Sequence, residues 1–285
     1  MTDPLADRNP HFARLLPLLV CPDCRGELTR VDDAFRCTAC AAAFPITHGV
    51  PMFARFGSAE NWGREKPEET SEEYQKNYQE LQEAAKYNQM YSGRWSKRII
   101  TRWEYDLLER QLASQPRSTV LLDLPSGGGR LSPQIARHTD LLIDADIALG
   151  QVRYGMDHGR VDTPQAWLTA SGFHLPFRDA SVDGVVCVRL NHHLPTADER
   201  ERLVRELLRV ARRFVIMTFF DHHSLKNRLR RLRRPFDGKP PKMTMAVDRV
   251  RELAAEGGAD LVDCPALSHI GSGHRYGLLV KRPGK

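Results

Sequence analysis

The chain has 285 residues, 41% of them apolar, enough for one sizeable core and a small additional module. No run approaches the roughly eighteen consecutive apolar residues of a membrane-spanning helix, and the N-terminus MTDPLADRNPHFARLLPLLVCPDC has early acids and no cleavage site, so no signal peptide is expected. The formal net charge of +6 is concentrated: from His222 to Lys242 eight Lys or Arg residues face one acid, Asp237, and the rest of the chain is close to neutral, which argues against a general polyanion-binding surface.

In chain order, residues 11–57 read as a small cysteine module. CPDC and CTAC place Cys21, Cys24, Cys37 and Cys40 in the spacing C-x2-C-x12-C-x2-C. Two such knuckles turn four thiolates toward one point, which suits a tetrahedral zinc ion. A site closed by four cysteines leaves no position for a reacting water, so the expected zinc is structural and holds together a module too small to fold by burial alone. His48 is an alternative ligand that four cysteines leave unneeded. Cys187 and Cys264 sit in strand patterns and read as buried small apolar residues. Thiols without an export signal imply a reducing compartment, and a cytoplasmic protein is expected.

Residues 58–116 start polar and become rich in aromatics, with Tyr74, Tyr78, Leu81 and Ala85, then Trp95, Ile99 and Trp103, at helical spacing. They read as a linker and helical lid, with Tyr87, Tyr91 and Arg94 as candidates to close over a ligand and core packing as their alternative role. Residues 117–285 alternate strands and helices, the pattern of a parallel sheet covered by helices. TVLLDL, DLLIDADI, VDGVVCVRL and RRFVIMTFF are strands, the later two continuously apolar as in a doubly buried sheet. SPQIARH belongs to the helix after a glycine turn. Thr196 and Glu199 have capping-box spacing ahead of Leu203, Leu207 and Val210. A further helix near Asp248–Glu256 stops at Gly257-Gly258, and ADLVDC and YGLLVKR supply closing strands.

The glycine turn LLDLPSGGGRL holds a cofactor whose kind the flanking residues decide. A phosphate-binding loop needs Gly-Lys-Ser/Thr, but Gly129 is followed by Arg130-Leu131; a dinucleotide turn needs a third glycine where Ser132 stands. Asp123, just before the turn, would repel a pyrophosphate. It suits S-adenosylmethionine, which carries an ammonium and a sulfonium and no phosphate. Gly127 and Gly129 let backbone approach the ligand. Asp146, at the end of the second strand, can accept ribose hydroxyls, with Asp144 as the alternative.

With these residues in place, about residues 118–282 resemble the class I S-adenosylmethionine-dependent methyltransferases, of the type 11-like kind. LLDLPSGGGRL is similar to the family's glycine motif, DADIALGQVRYG to its ribose-binding acid and following helix, and TASGFHLPFRDASVDGVVCVRLNHHLP to its adenine loop, fourth strand and following turn. The resemblance implies an α/β fold with a Rossmann-like seven-stranded sheet and helices on both faces, here behind the zinc ribbon. It implies cofactor contacts at Asp123, Pro125, Gly127, Gly129, Asp146, Ile147, Ser171, Gly172, Phe173 and Arg189. Pro125 departs from the family's usual glycine, and Ser171 from a frequent aspartate. CPDCRGEL and FRCTACAAAFPITHGVPMF resemble small zinc-ribbon proteins that bind and activate tRNA and translation-factor methyltransferases. That implies support within one chain, with no obligate protein partner. Fusion of a ribbon to a methyltransferase is also loosely similar to bacterial ribosomal-RNA guanine methyltransferases.

Methyl transfer is an in-line displacement that depends chiefly on alignment, which can supply roughly 7–11 kcal/mol. A hydroxyl acceptor also needs a base, and His193, Asp221 and His222 are the candidates, with strand and helix capping as their alternative role. A second metal held by Asp221, His222 and a histidine near 192 is a weaker option. The segment SLKNRLRRLRRPF, inside a basic insertion over 222–242, sets Leu225, Leu229, Leu232 and Phe236 on one helical face with cations around them. It reads as a solvated helix or as a dock for an anionic partner. The expectation is therefore methyl transfer to an oxygen or nitrogen of an anionic or small-molecule acceptor. The alternatives are an RNA base methyltransferase and a non-catalytic scaffold. RNA, or peripheral membrane contact through 224–236, stays open for the basic helix.

Overall fold

The computed structural model describes residues 3–54, 82, 84–85, 95–237, 243–268 and 272–283. The readings on Tyr74, Tyr78, Leu81, Tyr87, Tyr91 and Arg94 lie outside them.

A short helix, α1 (Pro4–Arg8), is capped by Asp3, and a 3-10 segment over Phe12–Leu18 follows it. Strands β1 (Leu28–Val31), β2 (Ala34–Cys37), β3 (Ala43–Thr47) and β4 (Val50–Pro51) form an antiparallel four-stranded ribbon. Helix α2 (Trp95–Ala113) leads into the larger sheet. Its elements are β5 (Leu121–Asp123), α3 (Ser132–Ile135), β6 (Leu142–Asp146), α4 (Leu149–His158), β7 (Gln165–Thr169), β8 (Val182–Cys187), α5 (Ala197–Val210), β9 (Ala211–Phe220), α6 (Leu225–Asp237), α7 (Val247–Glu256), β10 (Ala259–Asp263) and β11 (His274–Lys281).

The seven strands run β10-β11-β9-β8-β5-β6-β7; β10 and β11 pair antiparallel, and the rest of the sheet is parallel apart from the β11–β9 pair. Because side chains alternate along a strand, Leu121, Leu142, Val186 and Ile216 meet Leu108 and Leu112 of α2 on one face. Leu122, Ile143, Val185 and Val215 meet Leu203 and Leu207 of α5 and Leu253 of α7 on the other. Thr196 and Glu199 form the expected reciprocal cap on α5. The chain order reverses between β5 and β8, which opens a crevice past their carboxyl ends.

Packing ties both N-terminal regions to the sheet. In the C-terminal half of α2, Leu108 and Leu112 are 1% exposed and belong to the sheet's core. The ribbon packs on the sheet too. Phe12, Leu15, Leu19, Phe35, Phe44 and Phe53 join the same core as Leu122 and Ile143, with ring centroids 5.5–5.6 Å apart from Phe12 through Phe35 and Phe53 to Phe44. Met52 bridges Thr169, and the Phe53 and Ala54 amides donate to the Thr169 carbonyl, so the ribbon closes the free edge of β7. Asn9 donates to the Trp167 carbonyl (2.7 Å) and accepts from its amide (3.1 Å).

Asn9→Ala leaves two buried backbone groups of β7 without partners and should destabilise the protein by about 2–4 kcal/mol. Arg8→Ala, removing a half-exposed pair with Asp157, should cost less than about 1 kcal/mol. Urea unfolding of both variants checks the contrast.

Candidate active site and metal centre

The metal centre is built by two tight turns. The Cys21 amide donates to the Gly26 carbonyl, and the Arg25 amide to the Cys21 carbonyl, curling the first knuckle. A Cβ on Gly26 would stand 2.8 Å from Ala39 and 3.0 Å from the Cys37 sulfur, so the knuckles meet only because residue 26 has none. The four Sγ atoms lie within 4.8 Å of one another, with Cys21–Cys40 at 3.7 Å and Cys24–Cys37 at 3.4 Å. Tetrahedral zinc with Zn–S bonds of about 2.3 Å needs sulfurs about 3.8 Å apart, so the donor set fits that ion. Among the described residues these cysteines are the one group of three or more ligand side chains that converges in this way. Asp221, His222 and His192 form no such group among the described residues.

At the crevice, β5 delivers Asp123 and then the turn, whose Leu124–Pro125 peptide is cis. Asp123 is fully buried, and neither carboxylate oxygen has a hydrogen-bond partner among the described residues. Burial, then the neighbouring Asp144 charge, holds its carboxyl well above the usual carboxylate range, while Arg130 opposes the shift. The two outer glycines divide the work of the turn. Gly127, at φ +54°, has open space where a Cβ would project; Gly129, at φ +80°, packs against the Gly159 backbone, with a Cβ only 3.2 Å from Gly159 Cα.

Asp146 ends β6 and accepts from the Gly127 and Ala148 amides, each at 3.0 Å. Burial raises its pKa to about 6 against those donors. Asp144 instead accepts from Ser132 Oγ (2.9 Å) and Gln165 Nε2 (3.0 Å) beneath the turn. Of the two acids, Asp146 is therefore the one tied to the glycine turn. Ile147 beside it is half-buried. Ser171 is 7% exposed, and its Oγ accepts from the Phe173 amide at 3.4 Å. Gly172 packs on Leu203, where a Cβ would stand 2.8 Å away. Phe173 lies under Arg202 and lines a cleft of about 290 Å³ against Pro22 and Arg25 of the ribbon.

Arg189 follows β8 at φ +68°, a conformation that costs a non-glycine residue of order 1–3 kcal/mol. It is held there by Thr218, which accepts from its amide (2.7 Å), and by Glu104 of α2, which accepts from Nε (2.9 Å) and Nη2 (2.6 Å). Glu104, 1% exposed, also binds Arg130 at 3.3 Å. One buried carboxylate thus holds two guanidiniums. Nothing in the sequence distinguished Glu104 from the other acids of its helix.

Past β8 and β9, the His192 ring packs tilted against His193 (centroids 4.3 Å) and Phe220 (4.5 Å) and edge-on to His274 (4.8 Å). His274 was absent from the expected set. It opens β11 and pairs in register with Phe220, so the antiparallel closing strand is what brings it to the acceptor end. Burial, then Arg189, pushes its pKa down to about 4, leaving a neutral imidazole at pH 7. Both Asp221 oxygens are engaged: Oδ2 accepts from Arg275 Nε (2.8 Å) and Oδ1 from the His223 amide (2.8 Å). His222 Nδ1 lies 2.9 Å from Thr244 Oγ1. His193 is exposed at the crevice. The structure gathers His193 with His192 and His274, and gives Asp221 a structural ion pair. Trp103 is 47% exposed.

Comparison with known proteins agrees with this architecture. Residues 122–217 match the family described as Methyltransferase domain, and residues 13–49 match Trm112p-like protein. A tRNA (carboxymethyluridine(34)-5-O)-methyltransferase of Arabidopsis thaliana is 30% identical over 112 residues, 38% of this chain and 25% of that protein. The chain thus spans a quarter of that relative's length. A UPF0434 protein of Bordetella avium is 45% identical over 42 residues, 14% of this chain and 67% of that one. The magnesium protoporphyrin IX methyltransferase of Synechocystis, solved with S-adenosylhomocysteine, superposes with a TM-score of 0.57 at 18% identity, over 66% of this chain and 88% of that one. At that identity the likeness speaks for the fold.

Because the ribbon's aromatic residues are part of the sheet's own core, stripping zinc with a chelator should lower the melting temperature of the whole protein in one transition. Cys24→Ser should do the same. Metal analysis should give about one zinc per chain, and the far-ultraviolet dichroism melt reads the transition.

Proposed function

We propose that this chain, which matches the Methyltransferase domain family over residues 122–217 and a Trm112p-like ribbon over 13–49, is an S-adenosylmethionine-dependent methyltransferase that methylates an oxygen or nitrogen atom of an anionic or metabolite-sized acceptor. The observation that carries the reading is Asp123: a buried carboxylate with both oxygens unpartnered, beside a turn that leaves open space at Gly127. Such a site calls for a cationic ligand without phosphate. When bound, S-adenosylmethionine supplies a methyl group already activated on a sulfonium, for in-line displacement. Asp123 supplies the compensating charge, and Asp146, with acceptor capacity beyond its two backbone donors, takes the ribose hydroxyls. Ser171 and Gly172 form the adenine wall.

On the acceptor side, Arg130 and Arg189 share the buried Glu104, and their guanidiniums are the groups an anionic acceptor would meet. For a hydroxyl acceptor, the exposed His193 is the candidate base, with His192 and His274 packed beside it. A second reading, methylation of an RNA base, is favoured by the name of the Arabidopsis relative and by the ribbon. Transfer of labelled methyl groups into fractionated extract separates the two, since the label enters either small molecules or RNA.

Titration calorimetry with S-adenosylmethionine tests the proposal. Binding is expected in the parent, weakened at least about tenfold in Asp146→Asn by loss of a charged acceptor; no heat in the parent overturns it, in favour of a non-catalytic scaffold. The Asp146 pKa is raised in the empty site to about 6, and a cationic, hydroxyl-bearing ligand prefers the ionised form. Binding should therefore release protons and weaken as pH falls through about 6. Asp123→Asn replaces a buried carboxyl whose ionisation burial already opposes, so the empty protein should melt close to the parent while binding is lost.

A further inference from the structure

The molecule leaves one surface that neither the crevice nor the ribbon uses. Helix α6 is fixed by one face. Asn227, 3% exposed, donates to the Asp221 carbonyl at 2.8 Å, and Arg231 donates to the His222 carbonyl at 2.7 Å. At about 100° per residue, Leu225, Leu229 and Leu232 fall on the side opposite Asn227. They are 53%, 42% and 71% exposed. Arg228 and Arg233 border that stripe on either side, and Arg230 is exposed further round the helix. The helix thus turns its leucines outward and anchors itself through a polar residue, the reverse of a helix laid on a core.

From this arrangement we infer that α6 docks the protein on an anionic lipid surface, its leucines entering the boundary between headgroups and acyl chains and its arginines meeting the headgroup charge. A solvated helix gains nothing from three exposed leucines in register. An RNA backbone would use the arginines and leave the leucines in water. A basic amphipathic helix with an apolar stripe suits a membrane interface on both counts. Each arginine near such a surface adds about fivefold to the partition. No helix among the described residues is long and apolar enough to cross a membrane, so α6 lies on the surface. Asp221 and His222 lead directly into it from the end of β9, which sets the crevice mouth beside the lipid layer. The surface is independent of the methyl-transfer reading, because lipid binding requires no cofactor.

The test is co-sedimentation of the full zinc-loaded chain, without S-adenosylmethionine, with phosphatidylcholine vesicles and with vesicles of which about a third is phosphatidylglycerol. Binding is expected to the second only. Two surface variants separate the contributions: Leu229→Ser with Leu232→Ser, and Arg228→Gln with Arg230→Gln and Arg233→Gln. Each should lower the partition at least about tenfold, and matching dichroism melts confirm that both fold. No partition of the parent onto the anionic vesicles overturns the proposal. So does a leucine variant that binds them like the parent. An RNA oligonucleotide that binds the parent where vesicles do not, and is lost only with the arginines, overturns it in favour of a polyanion site.

Discussion

A parallel sheet must end somewhere, and how its β7 edge ends here governs the rest of the molecule. An exposed edge strand carries unpaired amides and carbonyls and an uncovered apolar flank. In this chain Asn9, Met52, Phe53 and Ala54 meet the backbone of β7, and four phenylalanines of the N-terminal segment extend the sheet's core beyond it. The four cysteines then fix the far side of that extension. Order at the metal is therefore order at β7 and, through the β6–β7 pairing, at Asp146.

The second consequence lies in the cluster of buried acids. Asp123, Asp144 and Asp146 all sit at the carboxyl ends of neighbouring strands and are all fully buried. Their environments separate them. Asp144 is satisfied by two neutral side chains, Asp146 by two amides, and Asp123 by nothing among the described residues. Ionising three neighbouring buried carboxyls is costly in a low-dielectric interior, and burial raises the pKa of each. The site keeps them together in the empty state, which is the usual mark of a binding centre.

Much of this was legible in the residue order, for physical reasons that differ by element. The apolar runs of β8 and β9 and the Thr196–Glu199 cap are local signals, and local signals survive folding. The knuckle spacing and the charge of Asp123 beside the glycines are chemical signals of the same kind. What escaped depended on long-range placement. His274 became a neighbour of His192 only through the antiparallel register of β11 with β9. Glu104 lies 85 residues from Arg189, on a helix of unremarkable pattern. The ribbon's fusion with the sheet's core escaped for a related reason: the phenylalanine spacing tells that residues are buried, not what they are buried against.

Glu104 has a consequence for exchanging parts among such proteins. It reaches the crevice from α2, upstream of the first strand of the sheet, yet it pairs with two guanidiniums that follow β5 and β8. A chimera that takes the sheet from residue 117 onward without this helix would inherit Arg130 and Arg189 without this shared carboxylate, and Arg189 without one of the contacts that hold its strained backbone. The smallest portable unit of the catalytic half therefore begins with α2.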